Sequence, residues 1–551
     1  MVPTMVAPPV MSRPAASGDA CLKRPAARGH AKDSPAKALK TEEQVNATME
    51  EEEQQVDATR KEEEQVFAQR FLQHALEQCS PGMTKAIDRS TSRPVRMSSA
   101  CSGSGVAELA HMLLMRRLGK PAIVDFSCEV EKPKQEYLSK IIHPHVSSAP
   151  SKSTSPCCFD DISHLGRGAA RCCIHQGACE VPFWSDFFVA GFSCKDFSTL
   201  SQKVPPGQKT TILQSKSGTS GPTFQGVVGH CQLNRPRAVM LENVTQVAKD
   251  EIADKLFDTF AECGYYGSVA IFESPDFGLP QRRARAFFLL LLAEEFKLEP
   301  DECRTLCTTI LKGANMFKMK TEDLKTFLLP DNHERVVNKL QQRQLLERSH
   351  MPSGAGPGIE WPGLHTNYLL KKGLTRGLAM ASTHIRSSVC YPTLTGRERE
   401  CLGFAVRYGK EKKWKLASVD IHPSIPFISF GRDRVLQTLV PKHITWLFNP
   451  EGLKGSPANR HKKDRLLLGW EALHLQGYDM TILDLCSDYI PSDALLMDLG
   501  GNALALPILI ALYLSLYSNV DFSAVKPSAS SSSRQSVDPS LLSLLADARD
   551  D

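Results

Sequence analysis

The chain has 551 residues, 42% hydrophobic and 23% charged, with a formal net charge of only +5. That balance fits a globular protein of two or three domains with a large core, and it excludes nucleic-acid affinity arising from overall charge rather than local basic patches. The 17 cysteines are odd in number, scattered and preceded by no recognisable secretory signal, so reduced intracellular thiols are expected rather than a disulfide framework.

Residues 1–41 are rich in Pro, Ala, Lys and Arg and read as a disordered basic arm. An acid-poor start with Arg and Ala faintly suggests a transit peptide, but Pro3, Pro8, Pro9 and Pro14 break the amphipathic helix it needs. Lys23-Arg24, with Lys32, Lys37 and Lys40, reads equally as a weak nuclear address or a solvated arm. A nuclear protein is therefore expected ahead of a chloroplast or mitochondrial one.

Residues 42–90 form an acidic helical and linker segment. Val45, Val56 and Val66 recur at 11 and 10 residues, a spacing that keeps one helix face in line. The helix gains an apolar face around Phe67, Phe71, Leu72 and Leu76, and segment 42–80 is a candidate surface for a protein partner. The globular part is expected from near Arg93. Through residues 91–304 apolar strand-like runs alternate with helical stretches, which predicts an α/β fold with a largely parallel sheet. Residues 305–430 lose that rhythm and pass into Gly/Pro-rich loops around Pro352 to Gly363, as an inserted second domain would. Residues 431–520 look structured again, and 521–551 form a Ser-rich disordered tail. The longest apolar stretch, Leu504 to Leu516, is shorter than the roughly 20 residues of a membrane span, and no membrane association is expected.

Three segments place reactive side chains at strand ends. Phe187-Phe188-Val189 empties into Ala190-Gly191-Phe192-Ser193-Cys194-Lys195-Asp196. Ala238-Val239-Met240-Leu241 runs into Glu242-Asn243-Val244, and Gln281-Arg282-Arg283-Ala284-Arg285 precedes Phe287-Phe288-Leu289-Leu290. In an open α/β sheet, catalytic groups gather at the C-terminal strand edge, and a thiol, a carboxyl and an arginine pair suit a nucleophile, an acid and an anchor. Upstream, Ser102-Gly103-Ser104-Gly105 is a Gly-rich turn that brings backbone close to a ligand. The run Ala122 to Cys128 ends in Glu129, and Asp160-Asp161-Ile162 follows later.

In this order, the segments resemble the cytosine-C5 methyltransferases, which use S-adenosylmethionine, over roughly residues 93–300 and 385–520. The resemblance implies a Rossmann-like methyltransferase sheet with a smaller inserted target-recognition domain at 305–430, and with 431–520 returning to complete the catalytic domain of 91–304. It implies that Cys101, Gly103, Ser104 and Gly105 form the first cofactor motif, that Glu129 meets the ribose hydroxyls, and that Asp161 with Ile162 meets the adenine. Asn502 and Ala503, in Asp498-Leu499-Gly500-Gly501-Asn502-Ala503, match the last motif, which folds back on the cofactor pocket. Leu436 to Pro441 and Glu471 to Tyr478 look like the ninth motif and its surroundings. Cys194 matches the nucleophile that attacks C6 of cytosine, and Glu242 the acid at N3. Arg283 and Arg285 complete the catalytic set; Ser193, Lys195, Asn243 and Gln281 match substrate-facing positions.

The chain departs from the family pattern in three places. Cys101 replaces an aromatic residue, Ser193 the Pro before the nucleophile, and Lys195 the Gln after it. Arg407-Tyr408-Gly409-Lys410-Glu411-Lys412-Lys413-Trp414-Lys415 is the best basic patch for phosphate, with Arg407, Lys412 and Lys413 as candidates; a solvated hairpin tip explains it equally. Arg460-His461-Lys462-Lys463 is a weaker patch of the same kind. Cys172, Cys173, His175 and Cys179, with Cys157 or Cys158, are weak zinc candidates; their spacing is not that of a common module, and ordinary buried thiols are expected. The expected function is methyl transfer to DNA cytosine, with a flipped target base. The tRNA-methylating branch of the family and a non-catalytic DNA-binding adaptor are the rivals.

Overall fold

The computed structural model describes residues 66–146, 155–197, 211–348, 361–373, 388, 390–448, 464–484 and 488–523. The basic arm, Val45 and Val56 of the acidic segment, the patch Arg460-His461-Lys462-Lys463 and the tail from residue 524 lie outside them.

Nine strands build the main sheet: β1 (Val95–Ala100), β2 (Ala122–Cys128), β3 (Cys157–Phe159), β4 (Ala169–Cys172), β5 (Gly177–Glu180), β6 (Phe187–Ala190), β7 (Ala238–Asn243), β8 (Tyr265–Glu273) and β9 (Ala284–Leu292). Their order is β5-β4-β3-β2-β1-β6-β7-β9-β8. The five central strands are parallel, and antiparallel pairs close both edges. Strand order reverses between β1 and β6, the point at which such sheets open a crevice for ligands. The central strands read as continuous apolar runs because both faces are covered. Met97, Phe187, Val189 and Met240 enter the core on one side, and Phe188, Ala190, Val239 and Leu241 the core on the other. Ala100, Ala190 and Leu241 pair in register, so β1, β6 and β7 deliver their following loops at one level.

The helix Leu506–Asn519 is buried from Leu506 to Tyr517 and packs on the helices Pro81–Ser90 and Val106–Arg117. Pro507 occupies its first turn, where no N–H is missed. Among the described residues no single helix is long and apolar enough to cross a membrane.

A second sheet, antiparallel, has the order β11-β10-β12-β13, from β10 (Leu416–Asp420), β11 (Phe430–Arg432), β12 (Thr445–Leu447) and β13 (Arg465–Leu466). With the helix Gly396–Glu411 it encloses its own core of Leu402, Phe404, Val419 and Trp446. The sequence boundaries shift accordingly. Residue 305 falls inside the helix Pro300–Gly313, whose Cys303, Cys307, Ile310 and Leu311 belong to the large core. Residue 430 opens β11, so the smaller sheet extends into the segment assigned to the return. The large core also begins before Arg93, because Phe67, Phe71 and Leu72 of the helix Phe67–Glu77 are buried in it. Phe67 and Phe71 of that apolar face pack against the chain's own Phe327 and Phe277.

Candidate active site

Cys194 follows β6 in a loop held from one side by the helix Ser220–Asn234. Asp196 Oδ2 accepts hydrogen bonds from the backbone N–H of Thr219 at 3.0 Å and of Ser220 at 2.8 Å. A carboxylate there satisfies orphan N–H groups and complements the helix dipole. Ser220 Oγ takes the Asp196 N–H, and Thr223 Oγ1 takes the Ser193 N–H at 3.2 Å. Proline has no N–H, so the family's usual residue could not make the Ser193 bond. The lost ring constraint is thus replaced by a tether.

The next loop locks the same site from β7. Asn243 Nδ2 donates to Phe192 O at 2.9 Å, and Asn243 Oδ1 accepts from Val244 N–H. Glu242 is buried and pairs with Arg285, Nε to Oε1, at 3.0 Å. The register explains the pair: Glu242 lies opposite Phe287, and Arg285 is two residues along the same face of β9. Burial, and then the Glu242 charge, pushes the Cys194 thiol up, while Arg285 and Arg283 pull it down. Burial likewise raises Glu242 against the same two arginines. One thiol, one carboxyl and two cations therefore act on each other at a single strand edge.

A second group lies at the ends of β1, β2 and β3. Gly103 N–H donates to Glu129 Oε2 at 2.9 Å, and Glu131 N–H to Glu129 Oε1 at 3.0 Å. Gly105 begins the helix Val106–Arg117 at φ +69°, and a Cβ there would stand 2.7 Å from the Ile142 side chain. Only glycine fits. Asp161 caps the short helical turn Ile162–Arg167 through Ser163 N–H at 2.8 Å, and Ile162 packs against Gly226 of the helix that clamps the Cys194 loop.

A family model for the C-5 cytosine-specific DNA methylases matches residues 176–516. The chain belongs to that family. It is 26% identical over 230 residues to the DNA (cytosine-5-)-methyltransferase DMT5 of Cryptococcus neoformans, a match covering 40% of this chain and 8% of that protein. It is 31% identical over 145 residues to the type II methyltransferase M.BanI of Aneurinibacillus aneurinilyticus, covering 26% of this chain and 30% of that one. The chain thus spans under a third of either curated relative. The crystal structure of the S. pombe Dnmt2 methyltransferase aligns over 77% of this chain and 98% of its own, at 12% identity and a TM-score of 0.38.

The methylase family uses S-adenosylmethionine, and the residues at β1–β3 fit it. Glu129 spends one lone pair of each oxygen on backbone N–H groups and retains others that suit hydroxyl donors such as those of a ribose. Ser104 Oγ is buried without a hydrogen-bond partner. The return segment closes on this region through bonds that no motif announced. Lys134 Nζ bridges Glu131 and Asp498, each at 2.9 Å, and Tyr478 OH donates to Ser104 O. Arg283 donates to Gly501 O at 3.0 Å and Ala503 O at 2.6 Å, so its guanidinium anchors the backbone of that segment while its charge also acts on Cys194. Asn502 is exposed, with Nδ2 on Asp498 O at 3.0 Å. Cys101, at φ +52°, is a partly buried thiol pushed up to about 12 by burial and Glu129.

Some sequence-selected residues stand elsewhere. Gln281 is fully buried and accepts from Gln476 Nε2 at 3.0 Å, a position inside the core and not on a substrate surface. Lys195 is exposed beside Cys194. Arg407, Lys412 and Lys413 lie at the end of the helix Gly396–Glu411 in the smaller domain. Arg407 pairs with Glu411 at 3.2 Å, Lys412 sits over Tyr408, and Trp414 is covered by Arg432 at 4.4 Å, so neither aromatic is an open stacking platform. Of the cysteine candidates, Cys172, His175 and Cys179 converge with Cys157, and Cys173 stays outside that group. Asp196 and Lys134 escaped sequence reading: a lone Asp and a lone Lys near known motifs carry no pattern.

Proposed function

We propose that this chain methylates C5 of cytosine in DNA through a covalent adduct on Cys194. The observation that supports it best is the mutual placement of Cys194, Glu242 and Arg285 at the ends of β6, β7 and β9. Cys194, as thiolate, forms a bond to C6 of the ring. Glu242 holds its proton above the ordinary carboxylate range and donates it at N3. With its proton in place Glu242 does not raise the thiol, so protonated Glu242 favours the Cys194 thiolate, and transfer of that proton to N3 accompanies the attack that consumes the thiolate. Gly103, Glu129 and Asp161 would hold S-adenosylmethionine, which would supply the methyl group for C5. Loss of the C5 proton then expels Cys194 and restores the ring double bond. Arg285 holds Glu242, and Arg283 holds the last motif in place.

DNA as substrate is supported by the family model and by the similarity to a DNA (cytosine-5-)-methyltransferase and a type II methyltransferase. A duplex target leaves its stack to reach a thiol at this depth. Incubation with S-adenosylmethionine and DNA containing 5-fluorocytosine tests the mechanism. A stable protein–DNA adduct lost in Cys194→Ser is expected. Binding without an adduct would instead favour the non-catalytic adaptor, and an adduct only with tRNA would move the substrate. Nuclear location belongs to the same proposal through Lys23-Arg24; a fluorescent fusion lacking residues 1–41 should leave the nucleus, and unchanged location would refute that part.

A further inference from the structure

We propose that Cys157, Cys172, His175 and Cys179 bind a zinc ion that staples the β3–β4–β5 edge of the sheet. Their ligand atoms all lie within 4.8 Å of one another. The sulfurs of Cys157, Cys172 and Cys179 stand 3.5, 3.4 and 3.4 Å from one atom, His175 Nδ1. A ring nitrogen carries one hydrogen or one lone pair, so it cannot be the hydrogen-bond partner of three sulfurs. A tetrahedral zinc, with Zn–S about 2.3 Å and Zn–N about 2.0–2.1 Å, separates sulfur from nitrogen by about 3.5 Å. The cluster has the spacing of ligands around a common centre.

The local structure gives such a centre an edge to hold. Cys157 begins β3, Cys172 ends β4, Cys179 lies in β5, and His175 is in the turn between the last two. β4 is anchored by its buried Ala169, Ala170 and Cys172, whereas the edge strand β5 buries none of its four residues and gains little from the apolar core. None of the three cysteines is in a disulfide. Thiolates and imidazole select zinc over oxygen-seeking cations, and four protein ligands leave no open position, which marks the site as structural. Its consequence reaches the cofactor side. β3 continues into Asp160-Asp161, and Asp160 N–H donates to Arg171 O of β4 at 3.2 Å. The metal would therefore hold the strand edge from which Asp161 projects, a consequence that rests on the cofactor reading; the site itself does not.

The test is zinc content of the purified full chain by plasma mass spectrometry, with cobalt spectra as a second readout. About one zinc per chain is expected. Cys172→Ser and His175→Ala should lose it, while His175→Cys and Cys173→Ser should keep it. Because Cys172→Ser can fail by misfolding, the wild-type chain is also exchanged with cobalt; intense thiolate-to-cobalt bands and tetrahedral ligand-field bands are expected. Absence of zinc after reconstitution, full zinc retention in the Cys172→Ser chain, or octahedral cobalt spectra would overturn the proposal. Metal content is independent of methyl transfer, so its failure is distinct from failure of the functional reading.

Discussion

Cys194 is the residue on which the proposed chemistry turns, and burial and neighbours of both signs act on its thiol. Burial and Glu242 raise the thiol; Arg285 and Arg283 lower it. Its peptide-resolved alkylation by iodoacetamide should therefore gain rate only above the pH range of an ordinary thiol, about 8.5. Glu242→Gln removes the raising charge and should speed alkylation severalfold at pH 8, whereas Arg285→Gln should slow it. Shifts of the same sign in both variants would contradict the arrangement. The position of this residue in the loop after a strand was legible in sequence, because the apolar run, the loop and the Cys are contiguous. What its neighbours do was legible only as resemblance, since Glu242 and Arg285 meet through strand register and not through spacing.

At the scale of elements, the Cys194 loop is a suspended segment whose two tethers differ in kind. Asp196 fastens it to the start of the helix Ser220–Asn234, and Asn243 to the end of β7. Asp196→Ala should cost about 1–2 kcal/mol, as a lost helix cap does, and lower the methyl-transfer rate; Asp196→Asn, which keeps an acceptor, should lose less of both. Thermal unfolding and single-turnover rates check this. Arg283→Ala leaves two buried carbonyls without their donor and should cost about 2–4 kcal/mol, with weaker S-adenosylmethionine binding by calorimetry. An unchanged melting temperature would show that the last motif is held otherwise. These links were invisible in sequence. The zinc ligands were half legible for a related reason: Cys172, His175 and Cys179 are neighbours in the chain, but Cys157 arrives from a different strand.

For the whole molecule, the chain leaves the large core after Phe327 and returns to finish it. The helix Leu506–Asn519, the Lys134–Asp498 pair and the Tyr478–Ser104 bond all close the far end of the sequence onto the first motif. The alternating α/β order was readable from apolar runs, and so was the existence of an insertion. Its edges were not, because the amphipathic helix Pro300–Gly313 carries the same Leu- and Lys-rich signal whether its apolar face packs on β8 or on a separate domain. On the proposed function, this closure brings Cys194 to a cytosine beside a methyl donor. Transfer of labelled methyl from S-adenosylmethionine, measured for the wild type and Cys194→Ala on unmethylated DNA, hemimethylated DNA and tRNA, tests that most directly. Incorporation into DNA cytosine that disappears in Cys194→Ala is predicted; incorporation that survives the substitution, or none into DNA from a chain that binds S-adenosylmethionine, would contradict it.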